Sequence, residues 1–330
     1  MKKIFALLLS AALLVTLLAA CGGGNTTDTD TDTQEPATDA STTQVEEQEP
    51  DTGDASKDDP LNQDEIGEKE LLVVSFGTSY NDSRRETIGA IEKAMQTAFP
   101  DYSVRRAFTS QIIIDHVKDR DGVTIDNVEQ ALERAVNNGV KTLVVQPTHL
   151  MNGLEYEELT DELAKYSDSF EKIAIGDPLL TSDADFKAVM TAITDATKDA
   201  ADGKTAICFM GHGTTADSNS VYSKMQTLLT DKGFNDYYVG TVEATPSLDD
   251  VLAAVQKGNY EKVILRPLMI VAGDHANNDM AGDEDDSWKS TFEKAGYTVD
   301  CQVEGLGQLE AIQQLFVEHA KAAVASAEAE

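Results

Sequence analysis

Basic residues are scarce in this sequence. Lys and Arg number 26 against 59 Asp and Glu in 330 residues, a net charge of −33. Without a basic stripe or patch the chain lacks the electrostatic footprint of a nucleic-acid binder, so nucleic acid is excluded as a partner. Cysteine occurs three times (Cys21, Cys208, Cys301), too rarely for a disulfide framework. Cys208 lies in an apolar run and reads as a small core residue. Whether it pairs with Cys301 is left open at this level. Neither a Gly-x-Gly-x-x-Gly fingerprint nor a Walker pattern is present, which removes the usual signals of nucleotide binding. The apolar run of residues 4–20 is too short and too weakly flanked for a mature membrane span.

What is present begins with that run. MKK followed by IFALLLSAALLVTLLAA reads as a signal peptide, residues 1–20. Leu18-Ala19-Ala20-Cys21 at its end resembles a bacterial lipobox. The expectation is a Cys21-lipidated protein, extracytoplasmic and anchored to the cell membrane. Residues 21–68 read as a disordered acidic tether, since Gly22–Glu68 carries 15 acidic residues and a single basic one, Lys57. So little apolar surface cannot offset the entropy of ordering.

From residue 69 onward, short β-branched runs alternate with helix-length amphipathic segments, the signature of βαβ units and parallel sheets. ELLVVSF (70–76), SVRRAF (103–108), KTLVVQP (141–147) and KIAIGDP (172–178) are predicted along strands. Ser83-Arg84-Arg85-Glu86 reads as a capping box. After the polar stretch KDAADGK (198–204) the scheme restarts. LLVVSFGTS (71–79) parallels AICFMGHGTT (206–215), and KTLVVQPTHLMNGLEYE (141–157) parallels EKVILRPLMIVAGDHAN (261–277). The prediction is an α/β protein of two similar Rossmann-like domains, 69–200 and 201–330, with parallel sheets facing a central cleft. The final helix, near 309–325, is grouped with the second domain, although it could pack on either. In the repeat Phe76 corresponds to His212, and Glu155 to His275.

Ligands of open parallel sheets bind outside the carboxyl ends of the strands. His212 in GHGT, Glu243 in GTVEATPS and His275 in VAGDHANND each fall at such an end, about one βα unit apart, and so converge on one edge. Two imidazoles and a carboxylate suit a divalent metal and proton transfer. His149 reaches the matching edge of the first half as a weaker candidate. His116 and His319 read as surface residues. FGTSYND (76–82) offers small hydroxyl residues and backbone amides near a helix start. The run Gly282–Asp286 reads as a solvated loop, and Trp288 as either a core anchor or a lip of the cleft.

LLVVSFGTSY, RAFTSQII, QPTHLMNGLEYE, FMGHGTT, VEATPS, RPLMIVAGDHANNDMAGDEDDSWK and GLG together resemble the CbiK-type sirohydrochlorin cobaltochelatases, across about residues 70–320. The resemblance implies a class II, ferrochelatase-like enzyme that inserts a divalent metal, Co²⁺ or alternatively Fe²⁺ or Ni²⁺, into a tetrapyrrole. Two protons leave, and neither ATP nor an organic cofactor is used. It implies His212, Glu243 and His275 as metal-binding and catalytic residues. The macrocycle is then expected against Ser75, Gly77, Thr78, Leu150 and Met151. Export departs from the family's cytoplasmic role. This admits a second reading, an extracytoplasmic haem-, corrinoid- or metal-binding lipoprotein with little turnover. A homo-oligomer and an envelope metal or corrinoid transporter are further partners under consideration.

Overall fold

A computed structural model describes residues 52–329. The expected signal peptide, Cys21 and the tether up to residue 51 lie outside the described residues. The first repeat runs β1 (Lys69–Ser75), α1 (Asn81–Glu86), α2 (Ile88–Ala98), β2 (Ser103–Phe108), α3 (Gln111–Asp121), α4 (Val128–Asn137), β3 (Thr142–Pro147), α5 (Leu154–Ala164), β4 (Lys172–Ile175) and α6 (Asp183–Thr197). The second runs β5 (Thr205–Gly211), α7 (Ser220–Asp231), β6 (Tyr237–Thr241), α8 (Leu248–Val255), β7 (Lys262–Pro267), α9 (Trp288–Lys294), β8 (Thr298–Cys301) and α10 (Glu310–Ala329).

Each repeat forms a four-stranded sheet with every recorded pairing parallel, in the orders β2-β1-β3-β4 and β6-β5-β7-β8. Strands buried on both faces read as continuous apolar runs, which is why ELLVVS and TAICFM carry no alternation. Proline closes β3 and β7 at the same place, opposite Val74 and Met210, where the ladder ends and its missing N–H costs little. Cys208 and Cys301 both register with Leu265, on its two sides. Two strand spacings of about 4.8 Å exceed the reach of a disulfide, and both thiols are free.

The terminal helix of each repeat is exchanged. α6 packs on α7, and Thr197 at its end bonds the Tyr237 hydroxyl of the second sheet at 2.9 Å. α10 packs on β3, β4 and α2 of the first sheet. Sequence order grouped α10 with residues 201–330, and its position in space corrects that grouping. The apolar face that α10 offers, Ile312, Phe316, Val317, Ala320 and Ala323, belongs to a cluster shared by both sheets. That shared cluster, flanked by one further cluster on each sheet's outer face, joins the halves over a continuous core.

Two local expectations are also corrected. Residues 52–68 are packed, not free: Leu61 is buried, and Ile66 lies against the outer cluster of the first sheet. Asp58 bonds Arg84 Nε at 2.6 Å and Arg106 Nη1 at 2.6 Å, both guanidinium groups being buried. The acidity that reads as a solvated tether is, at this position, the counter-charge of two interior arginines. Ser83 does not cap a helix; α1 begins earlier, and the Ser83 hydroxyl accepts from Ala272 N of the second half at 3.0 Å. The boxes Asn127/Gln130 and Ser247/Asp250 do form, starting α4 and α8.

Candidate metal centre

His212 is the first residue past β5, and the two glycines beside it explain its placement. Gly211 lies against the Tyr222 ring, where a Cβ would collide. Gly213 has φ +92°, in the left-handed region that favours glycine, and packs against Ala244 and Thr241. The turn presses the GHG backbone onto the segment after β6. There His212 O accepts from Glu243 N at 2.9 Å, which sets the two side chains beside each other. His275 stands at the start of a short π-helical turn, Ala276–Met280, which follows β7.

These three residues are brought together as expected from their strand ends. One ligand atom from each of His212, Glu243 and His275 lies within 4.8 Å of the others. The imidazole centroids are 4.7 Å apart, and His212 Nε2 is 4.0 Å from Glu243 Oε2. Metal bonds of about 2.1 Å place tetrahedral ligands about 3.4 Å apart, a gap that side-chain rotation closes at this partly exposed site. The ring tautomers follow from the partners. His212 Nδ1 faces the Gly213 carbonyl at 2.7 Å, and His275 Nδ1 faces an Asp279 carboxylate oxygen at 2.8 Å. Both partners only accept, so each Nδ1 carries the proton and each Nε2 keeps its lone pair for a ligand.

Exposed apolar side chains follow the strands of the first half. Phe76, the counterpart of His212, is 49 % exposed, and Leu154 at the start of α5 is 56 % exposed. Leu150 and Met151 are half-buried and lean on the shared core. Ser75 and Thr78 lie below this surface: Ser75 Oγ bonds Thr148 Oγ1 at 2.7 Å, and Thr78 is 2 % exposed. Of the expected contact set, these two residues are thus the buried members. Gly77, at φ +102°, sits against the Phe108 ring. His149, next to Leu150 in the chain, is buried with neither ring nitrogen bonded, and burial pushes its pKa down to about 4, against a weaker upward pull from Glu155. His116 is exposed, as expected. His319 is not a surface residue: it bonds the Asp177 carbonyl at 3.0 Å and Asp185 at 3.2 Å, holding α10 to the first half. Trp288 is a core anchor. The sequence reading missed Asp279, although its spacing of four residues from His275 on a helical segment was a usable signal.

Two parallel sheets, the second carrying a His/Glu/His set past the ends of β5, β6 and β7, belong to a protein of the chelatase class, as its similarity to known proteins shows. The fold is similar to that of "SirB from Bacillus subtilis with Fe3+", with a TM-score of 0.57 and 14% identity over 80% of this chain and 98% of that one. The chain belongs to the cobalt chelatase (CbiK) family, whose model matches residues 69–325. It is 38% identical over 251 residues to the sirohydrochlorin cobaltochelatase of Salmonella typhimurium, covering 76% of this chain and 94% of the relative. It is 30% identical over 260 residues to sirohydrochlorin cobaltochelatase CbiKC of Nitratidesulfovibrio vulgaris, covering 78% and 91%.

Proposed function

We propose that this chain inserts Co²⁺ into sirohydrochlorin or a closely related tetrapyrrole. The observation that carries this is the convergence of His212, Glu243 and His275, and the exposed apolar side chains Phe76 and Leu154 of the first half offer a surface for a flat ring. A flat macrocycle lies against Phe76, Leu150, Met151 and Leu154, while the metal ion, a substrate, is held on the other side by the three ligands. As pyrrole nitrogens replace the protein ligands, two N–H bonds break, and the macrocycle nitrogens bind the metal. Each protein ligand that releases the metal regains a lone pair, so the same three groups accept the two departing protons. No phosphoryl chemistry enters, and binding geometry does the work. The donor set also accepts Fe²⁺ or Ni²⁺, so supply decides among them. The Leu-Ala-Ala-Cys21 sequence supports a form tethered outside the cytoplasm.

The test is an anaerobic absorbance assay of sirohydrochlorin with Co²⁺. Wild-type protein accelerates insertion over a protein-free control, and His212→Ala, shown folded by its melting curve, loses at least tenfold of that rate. A wild-type rate equal to the control, with tight haem or corrinoid binding, replaces the enzyme by a binding protein.

A further inference from the structure

The two histidines are supported unequally. His212 Nδ1 meets a neutral backbone carbonyl, whereas His275 Nδ1 meets the Asp279 carboxylate. Asp279 is held on the same short turn as His275, four residues on, with its side chain about half exposed. A carboxylate behind an imidazole fixes ring orientation, fixes the tautomer and raises the donor strength of the far nitrogen. A neutral carbonyl does the first two and less of the third. Asp274 is also close to His275 in sequence, but it accepts from Asn278 Nδ2 at 2.7 Å and has no recorded bond to the imidazole.

We infer that Asp279 is a positioning residue that makes His275 the anchoring ligand of the incoming metal and leaves His212 the more readily released one. This rests on the metal-site reading above. A chelatase has to hold its metal and then give it up, and two unequal histidines allow transfer to begin at one ligand while the other retains the ion. Among the described residues Glu243 makes no side-chain hydrogen bond, only the 4.0 Å approach to His212 Nε2, so it is free to follow the ion.

The experiment is a Co²⁺ titration of the whole protein without tetrapyrrole, followed by calorimetry and by the visible bands of bound Co²⁺. Asp279→Ala weakens binding by about 10- to 100-fold and changes the band intensities. Asp279→Glu, which keeps a carboxylate behind the ring, recovers part of the loss. Asp279→Asn, nearly isosteric and a safeguard against misfolding, loses more than Asp274→Asn, which removes a neighbouring charge without touching the imidazole. Equal losses in Asp279→Asn and Asp274→Asn overturn positioning in favour of a general field effect. His275→Ala separates the two levels. If it binds Co²⁺ like wild type, the metal-site reading fails. If it loses binding while Asp279→Ala does not, only the role of Asp279 fails.

Discussion

Replacing Asp58 by Asn probes the ordered strap of residues 52–68. Its carboxylate accepts from Arg84 Nε at 2.6 Å and from Arg106 Nη1 and Nη2 at 2.6 and 3.0 Å. Breaking a buried pair from one side costs about 3–5 kcal/mol, because a charge is left inside without its counter-ion. Arg106 keeps Glu92, bonded at both Nε and Nη2 at 2.7 Å, so it remains paired. Arg84 keeps only the Thr78 carbonyl and the Asn81 side chain, both neutral, and carries most of the loss. The expected effect is therefore near the lower end, about 3 kcal/mol, a large share of the roughly 5–15 kcal/mol that holds a typical domain. Urea unfolding of wild type and Asp58→Asn measures it. The acid limb supplies a second readout. Burial alone would raise the Asp58 pKa, but Arg106 first and Arg84 next hold it below the ordinary carboxylate range. A depressed native pKa contributes stability that is complete above the unfolded value, about 4, and is lost as pH falls through the native one. That component disappears in Asp58→Asn. A loss under about 1 kcal/mol, or an unchanged acid limb, would refute the reasoning and return the strap to a surface decoration.

Gly213→Ala forces a side chain onto a φ of +92° and places its Cβ 2.9 Å from both Cβ and N of Ala244. The expectation is a loss of about 1–3 kcal/mol in thermal or urea unfolding. Because Ala244 follows Glu243, Co²⁺ affinity falls in the same variant; unchanged affinity would mean that the turn does not place Glu243. His149 has its pKa lowered to about 4 by burial, so between that value and about 6.5 the unfolded chain binds a proton that the native state refuses. Stability from this group therefore falls on acidification. His149→Leu gains about 2 kcal/mol on wild type between pH 7 and pH 5 by urea unfolding, and no pH-dependent difference would show that His149 takes up its proton in the fold.

Periodicity and repeat made much of the architecture legible. Strands of β-branched residues, the prolines at the ends of β3 and β7 and the matched GTS/GTT turns locate both sheets and both carboxyl edges. His212, Glu243 and His275 were readable for the same reason: a residue just past a parallel strand has few places to go. What was not readable depends on partners distant in the chain. Asp58 looks like solvated charge until Arg84 and Arg106 are brought to it. Ser83 looks like a cap until Ala272 N arrives from the other half. The burial of Ser75 and Thr78 is not legible either, because sequence does not reveal which hydroxyls turn inward. Helix α10 shows an apolar face but not which sheet covers it.

The exchange of α6 and α10 has a consequence for synthesis. As the chain leaves the ribosome, all four strands of the first sheet emerge well before Glu310–Ala329, the helix that covers β3 and β4. Until those last residues arrive, α2 lies over β2 but the inner face of β3 and β4 lacks its helix, so the first half cannot close its core as an independent N-terminal unit would. The core of the first half is therefore completed by the last residues of the chain, not by its own repeat.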